Sequence, residues 1–343
     1  MDIEKKSESM LEHEILSSPL EMEPDILAAE QNVSTPLRDS FRRFTQDKRA
    51  LVSLTIVILM VLTSLILPPI YQRIGPVLSL RHGFLHAAPS QYHTPWFINN
   101  EYVDKGPSSL YWLGTNYLGQ DLLSRVLAGI QVSMLVAVMV VGLLDVGLGV
   151  LFGVLAGYYG GIIDTVLARF TDLIFAFPGL LFAVLITGIF GQKAIQTAGN
   201  NGMLILVSFT LGLTVWPQMA RYVRGQTLQL KEQQFIEAAR TTGSTSLQII
   251  IRHILPNIAS LVVVAATLDI SGAVINEGVL SLLGLGVQPP GSSLGLMINE
   301  SISNIAQYPY ETLLPAAVLA VLVLCFSFIG DGMRDAFDPR TKD

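Results

Sequence analysis

Three features of this sequence predict an all-α chain embedded in a membrane. Hydrophobic residues make up 51% of its 343 residues and charged residues only 14%, with a mean hydropathy of +0.52, whereas a soluble domain carries roughly 25% charged residues. Six apolar runs recur along the chain, each about the length needed to cross ~30 Å of hydrocarbon as a helix. Lysines and arginines then divide unevenly between the connections on the two sides of those runs.

Taken in order, residues 1–37 hold nine acids against Lys5 and Lys6, a net −7, so the rest of the chain is near +1 of the total −6. With few aromatics and with Pro19, Pro24 and Pro36, this stretch reads as a disordered acidic tail on the cytoplasmic side. Its start lacks a basic region followed by an apolar core, so no cleavable leader is expected. Residues 38–49 are basic and amphipathic, with Arg38, Arg42, Arg43, Lys48 and Arg49 beside Phe41 and Phe44. They suit a helix on the inner surface leading into the first span, 50–70, which Pro68 and Pro69 are expected to stop. Residues 71–129 form a polar connection outside the membrane, with Tyr92, Trp96, Tyr102 and Trp112 as contact or interface aromatics.

Residues 130–343 form a core of five more spans, near 132–156, 164–190, 203–222, 258–280 and 312–329. Pro178 is expected to bend the second of these. Between 287 and 311, Pro289, Pro290 and Gly291 predict an outer turn or short re-entrant piece. With the N-terminus inside, 16 Lys and Arg fall on inner segments and 5 on outer ones. Both termini are therefore assigned to the cytoplasm and the chain to the cytoplasmic membrane.

One polar stretch interrupts the core on the inner side, KEQQFIEAARTTGSTSLQIIIRHILPN at 231–257. Glu232 to Thr242 are rich in helix formers. Gly243 breaks the run, and Ser244, Thr245 or Ser246 can cap a second helix whose apolar face would be Leu247, Ile250, Ile251 and Ile254. Pro256 ends that helix or starts the next span. Glu237-Ala238-Ala239, then Gly243, then Leu255-Pro256 resembles the EAA loop of the membrane subunits of bacterial ATP-binding-cassette importers, with His253 where the pattern has Ile.

Three further stretches resemble the peptide-importer branch of that family. WLGTNYLGQDLLSR (112–125) is similar to its GTDxxGRDxxSR segment, but Asn116 and Gln120 replace Asp and Arg. EGVLSLLGLGVQPPGSSLG (277–295) is similar to ESxLSFLGLGVQPPxPSWG, with Leu283 and Leu294 for Phe and Trp. GDGMRDAFDPR (330–340) is similar to the GDxLRDxLDPR tail. The resemblance implies a type I permease fold of six transmembrane helices. Its 231–256 hairpin would dock on a separate ATPase through Glu237, Ala238, Ala239, Arg240, Gly243, Leu255 and Pro256. It implies two ATPase subunits that use ATP and Mg, a second homologous permease and an external binding protein. Di- or oligopeptides are the implied substrate, with nickel, glutathione or oligosaccharides as the alternatives in that branch.

Within the spans, Gly149, Gly153 and Gly157 recur every fourth residue and suit close helix packing. Asp145 and Asp269 are costly inside hydrocarbon, roughly 2.5–3.5 kcal/mol on insertion scales, so they face protein or a water-filled cavity. They line a path, where they would meet a peptide's amino group, or bond a neighbouring helix. Glu277 lines the path or caps the next turn. Cys325 stands alone in an apolar run and reads as a buried thiol. No phosphate loop, metal-ligand spacing or nucleophile elbow is present, so no catalytic residue, metal site, bound cofactor or nucleic-acid partner is assigned, and lipid is the expected surroundings. A self-sufficient secondary transporter is the competing class; its signature would be inverted repeats with broken helices.

Overall fold

In the computed structural model, residues 40, 42–82, 91 and 93–337 are described; the acidic tail, Tyr92 and 338–343 lie outside them. Among these residues the chain is helical, with one isolated bridge, Thr115 to Asp121, and no strand. The helices are α1 Lys48–His82, α2 Leu122–Ala137, α3 Val146–Tyr159, α4 Gly161–Phe175, α5 Gly179–Leu230, α6 Gln234–Thr241, α7 Ser246–Ile249, α8 Leu255–Leu282, α9 Leu294–Ser301 and α10 Pro309–Phe337. A π-helical turn, Val138–Asp145, joins α2 to α3, and another, Ile250–Ile254, joins α7 to α8. By length and composition, five helical stretches can cross a membrane: Lys48–Ile74, Leu122–Tyr159, Gly179–Leu230, Ser246–Leu282 and Pro309–Phe337.

The third of these, at 52 residues, is far longer than the ~20 a crossing needs. It is two antiparallel segments. Helical geometry fails at Ala198 (φ −141°) and Gly199 (φ +57°), a left-handed value that glycine adopts without a Cβ penalty. Beyond the turn, Gly191 meets Met203 and Gly179 meets Thr214. Those pairs are separated by 12 and 35 residues, so the chain must double back.

Three prolines behave differently from expectation. Pro68 and Pro69 do not stop the first span, because α1 runs through them to His82. Pro68 has no N–H for the Ser64 carbonyl four residues back, and the side chain of Gln131, on α2, donates to that carbonyl instead. Pro178 does not bend a span either. It stands between α4 and α5 in an extended conformation (φ −60°, ψ 112°), so the run expected at 164–190 is two helices.

Close approaches fix the packing. Along α3, a Cβ on Gly149 would fall 2.6 Å from the Met219 side chain. One on Gly153 would fall 2.6 Å from the Ala220 carbonyl, and one on Gly157 2.7 Å from Thr227. The glycine repeat thus seats α3 against the second segment of α5. Helix α8 lies antiparallel on α10, with Leu268 against Gly330, Ser271 bonded to Ser327 (3.4 Å) and Gly278 under Leu319. Helix α1 meets α10 where Ala50 touches Gly332, above a small core of Phe44, Val57, Cys325 and Ile329.

The connection at 93–121 is locked by polar contacts. Asp121 caps α2 through the Leu123 and Ser124 amides and accepts from buried His93 Nδ1 at 2.9 Å. Asn116 Nδ2 donates to Gln120 Oε1 at 3.1 Å. The two positions where the family pattern carries opposite charges therefore still pair, as neutral amides. Arg125, beside them, reaches Glu300 of α9 at 2.7 Å.

We predict that Gly153→Val, which drives a side chain into the α5 backbone, destabilises the chain by about 1–3 kcal/mol. Thermal melting in detergent should fall by several degrees, while Gly147→Ala, which has open space around it, leaves melting unchanged.

Candidate functional site

The hairpin forms as the sequence suggests, and local geometry explains each turn. Helix α6 ends in a Schellman arrangement. Gly243, at φ +87°, donates its N–H to the Arg240 carbonyl, and the Ser244 N–H reaches back to Ala239 (both 3.0 Å). Of the three candidate caps, Thr245 does the work. Its hydroxyl accepts from the Gln248 amide while its own amide donates to the Gln248 side chain at 2.9 Å, a complete capping box. Pro256 sits in the first turn of α8 and starts that helix. Just before it, Leu255 N–H bonds Ile250 in π register. The hairpin's second arm therefore runs unbroken from Ser246 to Leu282.

That π turn shifts the helical phase, which corrects the expected apolar face. Ile249, Ile250 and Ile254 are buried, with Ile236 and Ala239 of α6, against Val154 and Tyr158 of α3 and Met219 and Val223 of α5. Leu247 and Ile251, expected on the inner face, point outward at 65% and 53% exposure. The sequence expectation assumed an unbroken 3.6-residue period from 247. Arg240 lies over the Tyr158 ring at 5.7 Å, holding α6 down. The outer face carries Phe235, Glu237, Ala238, Leu247 and Ile251, all exposed. These exposed apolar side chains form one patch beside the Glu237 carboxylate, and such patches mark interaction sites.

The sequence did not single out the clamp beside the hairpin. Helix α4 is too short to cross a membrane and is strapped to α5 by two ion pairs. Arg224 forks onto both Asp164 oxygens, with Nη2 to Oδ2 at 2.7 Å, and Arg221 reaches Asp172 at 2.9 Å while covering the Phe175 ring at 4.0 Å. The Arg224 hydrogen bonds hold the Asp164 carboxyl below the usual carboxylate range. The signal was available: Gly160-Gly161 and Phe177-Pro178 bracket a run holding Asp164, Arg169 and Asp172.

The three intramembrane acids separate into two settings. Asp145, at the end of the first π turn, is 0% exposed, and neither of its oxygens makes a geometrically sound hydrogen bond. Half-buried Asp269 of α8 is its carboxyl neighbour. Glu277, 1% exposed, is fully engaged. It accepts from Ser133 of α2 at 2.9 Å and Ser281 at 2.8 Å. Asp145 and Asp269 thus come together, and Glu277 joins α2 to α8 apart from them.

Residues 149–343, more than half of the chain, match the family described as binding-protein-dependent transport system inner membrane component. The chain belongs to that family. Residues 35–80 match the N-terminal transmembrane domain of oligopeptide transport permease C. This permease is 33% identical over 326 residues to the dipeptide transport system permease protein DppC of Lactococcus lactis, covering 89% of this chain and 91% of the relative. It is 36% identical over 317 residues to the glutathione transport system permease protein GsiD of Escherichia coli, covering 92% and 94%. It is also 33% identical over 301 residues to the oligopeptide transport system permease protein OppC of Mycobacterium tuberculosis, covering 88% and 94%. The permease is an all-α integral membrane protein of that transport family.

Two outcomes follow from the geometry. Ile236→Ala removes the buried anchor of α6, at a cost of about 2–5 kcal/mol. Hydrogen exchange should rise across 234–250 and stay unchanged in α10. The α4 clamp has a defined pH dependence. Asp164 is lowered from its ordinary 3.8, so its contribution is complete above that value and is lost as pH falls through the lower folded value. Protection factors in 161–175, with exchange corrected for its intrinsic pH dependence, should therefore match at pH 8 and pH 5 in the native permease, and Arg224→Gln should lower them at both.

Proposed function

We propose that this permease is one of two homologous membrane subunits of an ATP-driven importer of di- or oligopeptides. The hairpin's outer face carries the reading. A solvent-facing patch of Phe235, Leu247 and Ile251 around Glu237 and Ala238 stands on a rigid apolar base and fits a groove on a separate ATPase. In this reading the chain crosses the membrane six times, the two antiparallel segments of α5 each making one crossing. Both termini and the hairpin lie in the cytoplasm, in line with the lysine and arginine count. ATP and Mg act on the two partner ATPases, and a binding protein delivers substrate to the opposite face, near 93–121 and α9.

Closure of the ATPases would push the hairpin, and α8 would carry that movement into the membrane. Asp269, backed by Asp145, lines the path where it accepts a substrate ammonium group, whereas Glu277 holds α2 to α8. Peptide is the class favoured by the relatives, which are named as dipeptide, oligopeptide and glutathione permeases; glutathione is itself a tripeptide.

The test is purification of the tagged chain in gentle detergent. Phosphate-loop ATPases and a second homologous chain should co-purify. Glu237→Lys should insert normally yet retain at least about tenfold less ATPase, since it reverses a charge at the contact. Wild-type retention by Glu237→Lys would remove the docking role, and transport by the chain alone in liposomes without ATP would replace this reading with a secondary carrier.

A further inference from the structure

A groove between α1 and α10 belongs to none of the functions above. Its walls are Val52, Ser53 and Ile56 on one side and Val321, Leu324, Cys325 and Phe328 on the other, enclosing about 480 Å³, within the ~300–1,000 Å³ of small-molecule sites. Apart from Ser53 and the Cys325 thiol, the walls are apolar. Val52, Val321, Leu324 and Phe328 are exposed along it, while Cys325 is buried in its floor. At one end, and only there, the lining turns basic with Lys48 and Arg49.

Those two cations are available. Both are exposed, and neither forms an ion pair among the described residues. The nearest acid in sequence, Asp47, is occupied as the cap of α1, accepting from the Arg49 amide at 2.8 Å and from the Ala50 amide. From Arg49 to Ile56 the groove climbs seven residues, about 10 Å, most of the way through one ~15 Å leaflet. The groove therefore has a double positive charge at the headgroup level and an acyl-sized apolar channel directly above it.

We propose that this groove holds an anionic phospholipid, its phosphate on Lys48 and Arg49 and one acyl chain along Val52, Ile56, Leu324 and Phe328. The charge at the mouth selects the occupant. A zwitterionic headgroup gains little net attraction there, and a packed protein helix would bury two cations without partners. Arginine adds a planar fork suited to phosphate oxygens, and the lysine stem extends the apolar wall below its charge. The lipid would add to the contact of α1 with α10, where Ala50 already meets Gly332 and Val57 packs with Cys325 and Ile329. The placement in the inner leaflet rests on the orientation proposed above.

The experiment is native mass spectrometry of the assembled transporter, and of the tagged chain alone, titrated with phosphatidylglycerol or phosphatidylethanolamine. The expected result is one phosphatidylglycerol retained on this chain at least about tenfold more tightly than phosphatidylethanolamine, given two basic residues at the surface. Lys48→Gln with Arg49→Gln should abolish the preference. Val52→Trp keeps both charges but fills the groove, and should lower retention of both lipids. Equal retention of the two lipids, or an unchanged preference in the double variant, would overturn the proposal. So would cross-linking of Val52→Cys to a second protein chain at high yield. Loss of the ATPases on purification bears on the importer reading alone, because lipid retention is also read on the isolated chain.

Discussion

The spacing between α3 and the second segment of α5 is the constraint on which the rest depends. Gly149, Gly153 and Gly157 have no side chains to hold the two helices apart, and Met219, Ala220 and Thr227 fill the space. That close seam turns Val154 and Tyr158 of one helix and Met219 and Val223 of the other into a single apolar floor. Ile236, Ile249, Ile250 and Ile254 stand on that floor. The hairpin's first arm, Gln234–Thr241, is too short to hold its own place, so the outer face is only as well positioned as the seam beneath it. Packing inside the bundle and the position of the hairpin's outer face are two ends of one structure.

Backbone hydrogen bonding explains where the helices are allowed to break. Inside hydrocarbon an unmet carbonyl is expensive, so irregular backbone persists only where protein covers it. Pro68 leaves the Ser64 carbonyl without its usual donor, and Gln131 of the facing helix supplies one. The π turn at Val138–Asp145 packs its Val140 and Val141 into the core shared with Val207 and Leu211. The second π turn buries Ile250 and Ile254 in the floor of the hairpin. Each interruption has a neighbouring element against it.

This pattern marks the limit of what the sequence could disclose. Features with a local cause were legible: the glycine repeat, the Gly243 break, the capping threonine and the apolar runs all follow from the residues themselves. Pro178 and Pro68 were misjudged in opposite senses, because a proline's effect depends on what stands four residues back and on whether another helix can repair it. The outward turn of Leu247 and Ile251 was hidden for a related reason: a π turn changes the phase of everything on one side of it, and its cause is tertiary. Asn116 and Gln120 read as lost charges, yet position had been kept while charge was not, and only the 3.1 Å contact between them makes that visible. Among the acids, the sequence set Asp145, Asp269 and Glu277 side by side as intramembrane carboxylates. Two serines distinguish Glu277, and neither adjoins it in sequence.

Continuity between the hairpin and the membrane decides how movement can pass between them. A hairpin joined to its span by a flexible loop would absorb a push as local bending. Here the second arm runs without interruption from Ser246 into α8 and on to Leu282, and the π turn within it is packed rather than free. Displacement of the outer face must therefore tilt or slide α8 as a unit. Helix α8 carries Ala265 in the core that supports the hairpin, Ala273 and Leu280 in the core beyond it, and Asp269 between them beside Asp145. Any such motion changes the setting of those two carboxylates before it reaches Glu277, where Ser133 of α2 anchors the far end. The acid pair thus occupies the stretch of α8 with apolar packing on either side and no hydrogen bond holding Asp145 itself. That is the point in the helix where a small shift meets the least resistance from specific contacts.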